Sequence, residues 1–132
     1  MRILYVEDSP ELRETISMLM EGDGRWVTSC STAEEALELD ASQTFDLLVT
    51  DVGLPGMSGT DLARKLLAQD ADRWVVLCSG YELGAYPASW GPNVRTLLKP
   101  FELDELEQLL ATVQAGLPAA DSRVTAQPSA GA

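Results

Sequence analysis

Residues Phe45–Gly59 read FDLLVTDVGLPGMSG. The first half is an apolar run, Phe45 to Thr50, of the kind a buried strand makes, and it ends on a carboxylate, Asp51. The next eight residues carry three glycines and a proline, which is turn and loop chemistry. Strands buried on both faces read as continuous apolar runs, whereas half-exposed strands alternate. The stretch therefore predicts a central strand of a parallel sheet that carries Asp51 out to the sheet's edge and leaves it in an open loop.

The same grammar extends in both directions. Ile3 to Val6 is a short buried strand. Ser9-Pro10 follows as an N-cap with proline at the first helical position, and Leu12, Ile16, Leu19 and Met20 recur at helical spacing. Gly22-Asp23-Gly24 stops that helix. Trp26 to Ser29 is a second strand, and Ser31-x-x-Glu34 has the form of a capping box opening a helix with Ala33, Ala36 and Leu37. Beyond the quoted stretch, Ser58 can cap a helix bearing Leu62, Ala63, Leu66 and Leu67. Val75 to Cys78 and Arg95 to Leu98 are the fourth and fifth strands. A last helix sets Leu103, Leu106, Leu109, Leu110 and Val113 on one face and stops at Gly116 and Pro118.

Strands alternating with helices in this way predict an α/β domain with a doubly wound, five-stranded parallel sheet. Between Ser79 and Arg95 lie Gly80, Gly84, Pro87, Gly91 and Pro92, poor material for a helix, so the fourth helix is expected to be short or irregular. From about Leu117 the chain turns to Pro, Ala, Ser and Gly without periodicity. The expected organisation is one domain over residues 1–116 and a disordered tail over 117–132. No repeat is visible.

Totals narrow the function. Among 132 residues, 21 are acidic and 9 basic, a net charge of −12. Such a surface repels phosphate backbones, which argues against nucleic acid as a direct partner. Cys30 and Cys78 have no Cys-x-x-Cys spacing, and the opening MRILYVED has no signal-peptide core, so a reducing, cytoplasmic setting without a membrane span is expected. There is no histidine. Ser-His-Asp and Cys-His catalysis, imidazole metal ligation and histidine phosphocarriers are excluded within this chain.

In parallel α/β sheets, sites form outside the carboxyl ends of the strands. Here those ends carry Glu7-Asp8, Asp51, Ser79 and Lys99-Pro100. Each alone reads blandly: a turn aspartate, a solvated approach to a helix, a turn serine, a surface lysine. Together they make one acidic rim. Carboxylates about 5 Å apart repel by roughly 3 kcal/mol per pair at an effective dielectric near 20, so the rim calls for a cation. With oxygen ligands only, the expected ion is Mg²⁺, with Mn²⁺ the alternative. Mg²⁺ commonly shares its shell with a phosphoryl oxygen, and a carboxylate can attack phosphorus to form an aspartyl phosphate. Asp51 has the access for that role, and Lys99 and Ser79 supply a cation and a donor. Trp26, Trp74 and Trp90 read as packing residues.

With ILYVEDSP, FDLLVTDVGLPGMSG, VVLCSGY and LLKPF in that order, the chain resembles the receiver domain of two-component response regulators, including receivers attached to hybrid histidine kinases. The match runs from Arg2 to about Gly116. The resemblance implies a flavodoxin-like sheet of strand order 2-1-3-4-5. It makes Asp51 the phosphoacceptor, Asp8 a direct Mg²⁺ ligand, Glu7 a second acid acting through water, and the backbone carbonyl of Gly53 a further metal ligand. Ser79 matches the hydroxyl that bonds the phosphoryl group, Lys99 the partner lysine, and Lys99–Pro100 is expected to be cis. The donor would be a phosphohistidine on a histidine kinase or phosphotransfer protein, and the output a downstream protein, with homodimerisation open. The family often has an aromatic switch residue where this chain has Thr96.

The sequence reading is a phosphoacceptor that signals by protein contacts and is not an enzyme, either stand-alone, without its own DNA-binding output, or part of a hybrid kinase. Two alternatives remain. An aspartate-nucleophile phosphohydrolase would use similar parts but needs an acid two residues past the nucleophile, where Gly53 sits. A degenerate receiver would act as a docking module without the chemistry.

Overall fold

The computed structural model describes residues 1–22, 24–84 and 86–117, so the expected tail beyond Leu117 lies outside the described residues. The apolar runs pair in parallel as β1 (Arg2–Val6), β2 (Trp26–Cys30), β3 (Leu47–Asp51), β4 (Trp74–Ser79) and β5 (Val94–Leu98). Their order is β2-β1-β3-β4-β5, the flavodoxin-like arrangement that the family resemblance implies. The register sets Ile3 against Leu47, Leu48 against Val75, and Ser79 against Leu98. The crossovers are α1 (Pro10–Met20), α2 (Ala33–Ser42) and α3 (Gly59–Gln69), and α4 (Leu103–Gly116) closes the domain.

Successive strand residues point to opposite faces, and both faces here are covered. Leu4, Val6, Leu48, Val75 and Leu77 pack with Ala33 and Ala36 of α2 and Leu62, Ala63 and Leu66 of α3. Ile3, Tyr5, Leu47, Val49, Val76 and Cys78 pack with Met20 of α1 and Leu106, Leu110 and Val113 of α4. That is why the central strands β1, β3 and β4 are apolar through most of their length, whereas the edge strands β2 and β5 carry exposed positions. Leu117, placed in the tail by composition, still packs partly buried against the second cluster.

The helix starts follow local chemistry. The Ser9 hydroxyl accepts the Leu12 N–H at 3.4 Å, and the Ser58 hydroxyl accepts the Asp61 N–H at 3.1 Å. For α2 the cap is Thr32, one residue later than expected, accepting the Glu35 N–H at 3.1 Å. That start places Ala33 and Ala36, both fully buried, against the sheet. Glu35 rather than Glu34 reaches back, taking the Ser31 hydroxyl and N–H at 2.9 and 3.1 Å.

Apolar spacing overstated burial in places. Leu12, Leu19 and Leu103 lie on helical stripes yet remain exposed, as does Trp26 on the edge strand β2, at 64%. Trp74 and Trp90 do pack, partly buried, against the two clusters.

The connection from β4 to β5 is the sparse part of the fold. Where a full helix would cross, the described residues form only a 3₁₀ turn, Tyr86–Trp90. Leu83 and Trp90 lean on the core, with the Arg64 guanidinium 5.4 Å from the Trp90 ring centroid. Thr96 and Leu98, on the same face of β5, are left exposed.

Several arginines are engaged by other elements of the fold. Arg25 pairs with Glu107 and Arg73 with Asp40, joining separate elements. Arg2 and Arg95 lie over the Phe45 and Trp74 rings, and Arg13 donates to the Glu7 carbonyl at 2.8 Å.

Candidate functional site

β1 and β3 are neighbours, so their carboxyl ends bring Glu7, Asp8 and Asp51 to one rim. One carboxylate oxygen from each lies within 4.8 Å of the other two. Their burial is graded: Glu7 is buried at 3% exposure, Asp51 is half-buried and Asp8 is exposed. Lys99, leaving β5, extends its ammonium into this group, pairing with Asp51 Oδ1 and standing 3.6 Å from Glu7 Oε1. The Lys99 N–H donates to the Ser79 carbonyl at 2.7 Å, and the Lys99–Pro100 peptide is cis.

The electrostatics follow from this packing. Burial raises the Glu7 pKa above the ordinary carboxylate value; the Ser9 N–H, donated to Glu7 Oε2 at 3.0 Å, and the Lys99 charge pull it back only in part, and Asp51 pushes it further up. For Lys99, burial disfavours the ammonium, but the hydrogen bond and charge of Asp51, then the charge of Glu7, outweigh it and hold the pKa above the usual lysine value. Burial also pushes the Cys78 thiol up to about 12, so it offers no thiolate near neutral pH.

Asp51 is fixed by its backbone. Thr50 Oγ1 donates to the Asp51 carbonyl at 3.0 Å, the Val52 N–H donates to the Cys78 carbonyl at 2.9 Å, and the Gly59 N–H closes the loop base on the Val52 carbonyl at 3.0 Å. A Cβ on Gly59 would lie 1.9 Å from the Asp51 carbonyl oxygen, so only glycine lets α3 begin this close to the site. Gly53 is exposed beside Asp51, a Cβ there being 3.9 Å from Asp51 Oδ2.

Ser79 is near the rim yet engaged elsewhere. Its buried hydroxyl donates to the Tyr81 carbonyl at 2.7 Å and accepts the Tyr81 N–H at 3.0 Å. Beside the rim, and sharing Glu7 and Lys99 with it, is a cavity of about 420 Å³ whose other lining is Tyr5, Leu12, Ile16, Cys78, Pro100 and Phe101.

The structure thus gathers Glu7, Asp8, Asp51 and Lys99, places Gly53 beside them, and sets Ser79 at the next strand end with its proton committed to the loop. Sequence reading missed the braces under Glu7, namely the Ser9 N–H and the Arg13 guanidinium. The signal for Ser9 was present, since a residue that caps α1 two places after Glu7 also presents its N–H to that turn. Nothing in the sequence announced Arg13.

A family model described as the response regulator receiver domain matches residues 3–111. The chain belongs to that family. Among its relatives, the receiver protein CpdR of Brucella abortus is 33% identical over 115 residues, covering 83% of this chain and 96% of CpdR. This receiver spans about half the length of other curated relatives it matches, among them 50% of the response regulator PhoP of Pseudomonas aeruginosa at 34% identity over 83% of this chain. Among solved structures, the receiver domain of the hybrid histidine kinase CckA superposes with a TM-score of 0.71 at 31% identity, covering 86% of this chain and 98% of that one. The response regulator TrrA of Thermotoga maritima, solved with Mg²⁺-BeF and also with the histidine kinase ThkA, gives a TM-score of 0.75 at 26% identity over 85% and 97% of the two chains. Like other receivers, this one is a signalling module of two-component systems, and none of its described helices is long and apolar enough to cross a membrane.

Proposed function

We propose that this receiver accepts a phosphoryl group on Asp51 from a phosphohistidine of a partner kinase or phosphotransfer protein, in a Mg²⁺-dependent reaction. The observation that carries the proposal is the rim itself, three carboxylates with one oxygen of each within 4.8 Å of the others and a lysine ammonium paired with Asp51. A carboxylate oxygen of Asp51 attacks phosphorus, the phosphorus–nitrogen bond of the donor breaks, and the electron pair leaves with the imidazole.

The donor set suits a hard divalent ion, being all oxygen and unbalanced by the single ammonium. Asp8, Asp51 and the Gly53 carbonyl would hold it, with Glu7 behind. When bound, the metal neutralises charge on the transferring phosphoryl group. Mn²⁺ suits the same donors. Lys99 supplies the remaining positive charge at Asp51. Ser79 has one hydroxyl proton, now given to the Tyr81 carbonyl. Donating it to the phosphoryl group releases that carbonyl, and the change reaches the sparse β4–β5 connection. The apolar cavity adjoining Glu7 and Lys99 gives the partner protein a landing surface next to the acceptor.

In this reading residues 1–116 are the receiver and the output is a protein contact. The free, buried Cys30 and Cys78 suit a reducing cytoplasm. Intact-mass analysis after incubation with acetyl phosphate and Mg²⁺ tests the assignment. Wild type gains one phosphate and Asp51→Asn gains none; an adduct that survives the substitution overturns it.

A further inference from the structure

We infer that Glu34, on α2, is a positioning residue for the loop that follows Asp51, and through it for the metal site; this rests on the reading of the rim given above. The loop Val52–Ser58 is closed at its base by the Gly59 N–H on the Val52 carbonyl. At its far end the Met57 N–H donates to Glu34 Oε2 at 3.2 Å, across 23 residues of sequence. Among the described residues Glu34 is the one side chain outside the loop that bonds its backbone.

The fit is built from both sides. Gly56 has φ +75°, and a Cβ there would stand 3.0 Å from Glu34 Oε2 and 3.7 Å from its Cδ. The glycine therefore supplies both the left-handed turn and the room for the carboxylate to approach. The late start of α2 at Thr32 matters too. It sends Glu35 back to Ser31 and leaves Glu34, next on the helix, free of the cap and directed at the loop. Leu54 is buried and Met57 partly buried on the core, so with Glu34 in place the loop is held at base, middle and tip. Gly53, whose carbonyl would help hold the metal in the proposed site, lies inside that span. Groups that orient metal ligands from behind govern affinity without touching the ion.

The test uses the full chain and Mn²⁺ as the probe, with free Mn²⁺ followed by electron paramagnetic resonance and the Met57 amide followed by NMR hydrogen exchange in metal-free protein. Glu34→Ala should bind Mn²⁺ about three- to tenfold more weakly, the size of one hydrogen bond, and its Met57 amide should exchange faster. Glu34→Gln keeps an acceptor oxygen and should stay within about twofold of wild type. Glu35→Ala removes contacts on the same helix without touching the loop, and should also stay within about twofold. The inference is overturned if Glu34→Ala binds like wild type, if Glu34→Gln is as weak as Glu34→Ala, or if Glu35→Ala is equally weak. A wild type that binds no Mn²⁺ overturns the metal site and this inference together. Wild-type binding without phosphate uptake on Asp51 overturns the phosphoacceptor reading alone.

Discussion

The two crossovers flanking β4 are built to different standards. The one before it, α3, buries Leu62, Ala63, Leu66 and Leu67 and starts in backbone contact with Asp51. The one after it is a 3₁₀ turn that leaves Thr96 and Leu98 uncovered. Asp51, the acceptor in the proposed function, thus stands on the densely packed side of β4, and Ser79, proposed to sense it, opens the sparse side. If Asp51 is phosphorylated as proposed, the difference teaches that such a site is packed densely where the covalent bond would form and sparsely where its consequence would be read.

The largest test of that contrast is packing. Leu66→Ala on α3 should cost about 2–5 kcal/mol in urea denaturation, and Leu83→Ala in the sparse connection roughly 1 kcal/mol; equal costs would erase the distinction. Glycine replacement comes next. Gly59→Ala meets the Asp51 carbonyl and should cost about 1–3 kcal/mol, whereas Gly80→Ala, with open space around it, should stay within about 0.5 kcal/mol. A tolerated Gly59→Ala would mean that α3 can retreat from the site.

The smallest effect is a pH dependence at the junction of the two sides. The folded pKa of Lys99 is raised, so its contribution to stability is fully present below the ordinary lysine value and lost as pH rises through the folded one. Wild type should lose stability on the alkaline side, above about pH 10, relative to Lys99→Met followed by the same denaturation. Parallel pH profiles for the two proteins would show that the Asp51–Lys99 pair is energetically idle.

What could be read in advance was whatever a residue's type and immediate neighbours decide. Short runs rich in apolar residues set the five strands, most plainly the central three, Ser9 and Ser58 set two helix starts, and the Gly/Pro content of 80–92 foretold a broken helix. The acids were found because each ends a strand, and parallel strands end together. Reading failed where tertiary packing chose between local options. Thr32 took the α2 cap from Ser31 because Ala33 and Ala36 had to meet the sheet. Leu12, Leu19 and Leu103 kept helical spacing without a neighbour to cover them. The Ser79–Tyr81 hydrogen bonds and the reach of Glu34 to Met57 depend on loop paths that no periodicity encodes.

The engagement of several arginines within the fold has a kinetic side. With Arg25 and Arg73 paired and Arg13 bonded within the fold, the outward field is governed by 21 acidic residues against 9 basic ones. A small anion approaches against that field, whereas a protein presenting basic residues is drawn along it, with association rates raised by a factor of about 10 or more at low salt. The discrimination fades within the roughly 10 Å screening length of 0.1 M salt. If the chain accepts phosphoryl groups as proposed, choice among donors then begins during diffusion, before any two surfaces touch.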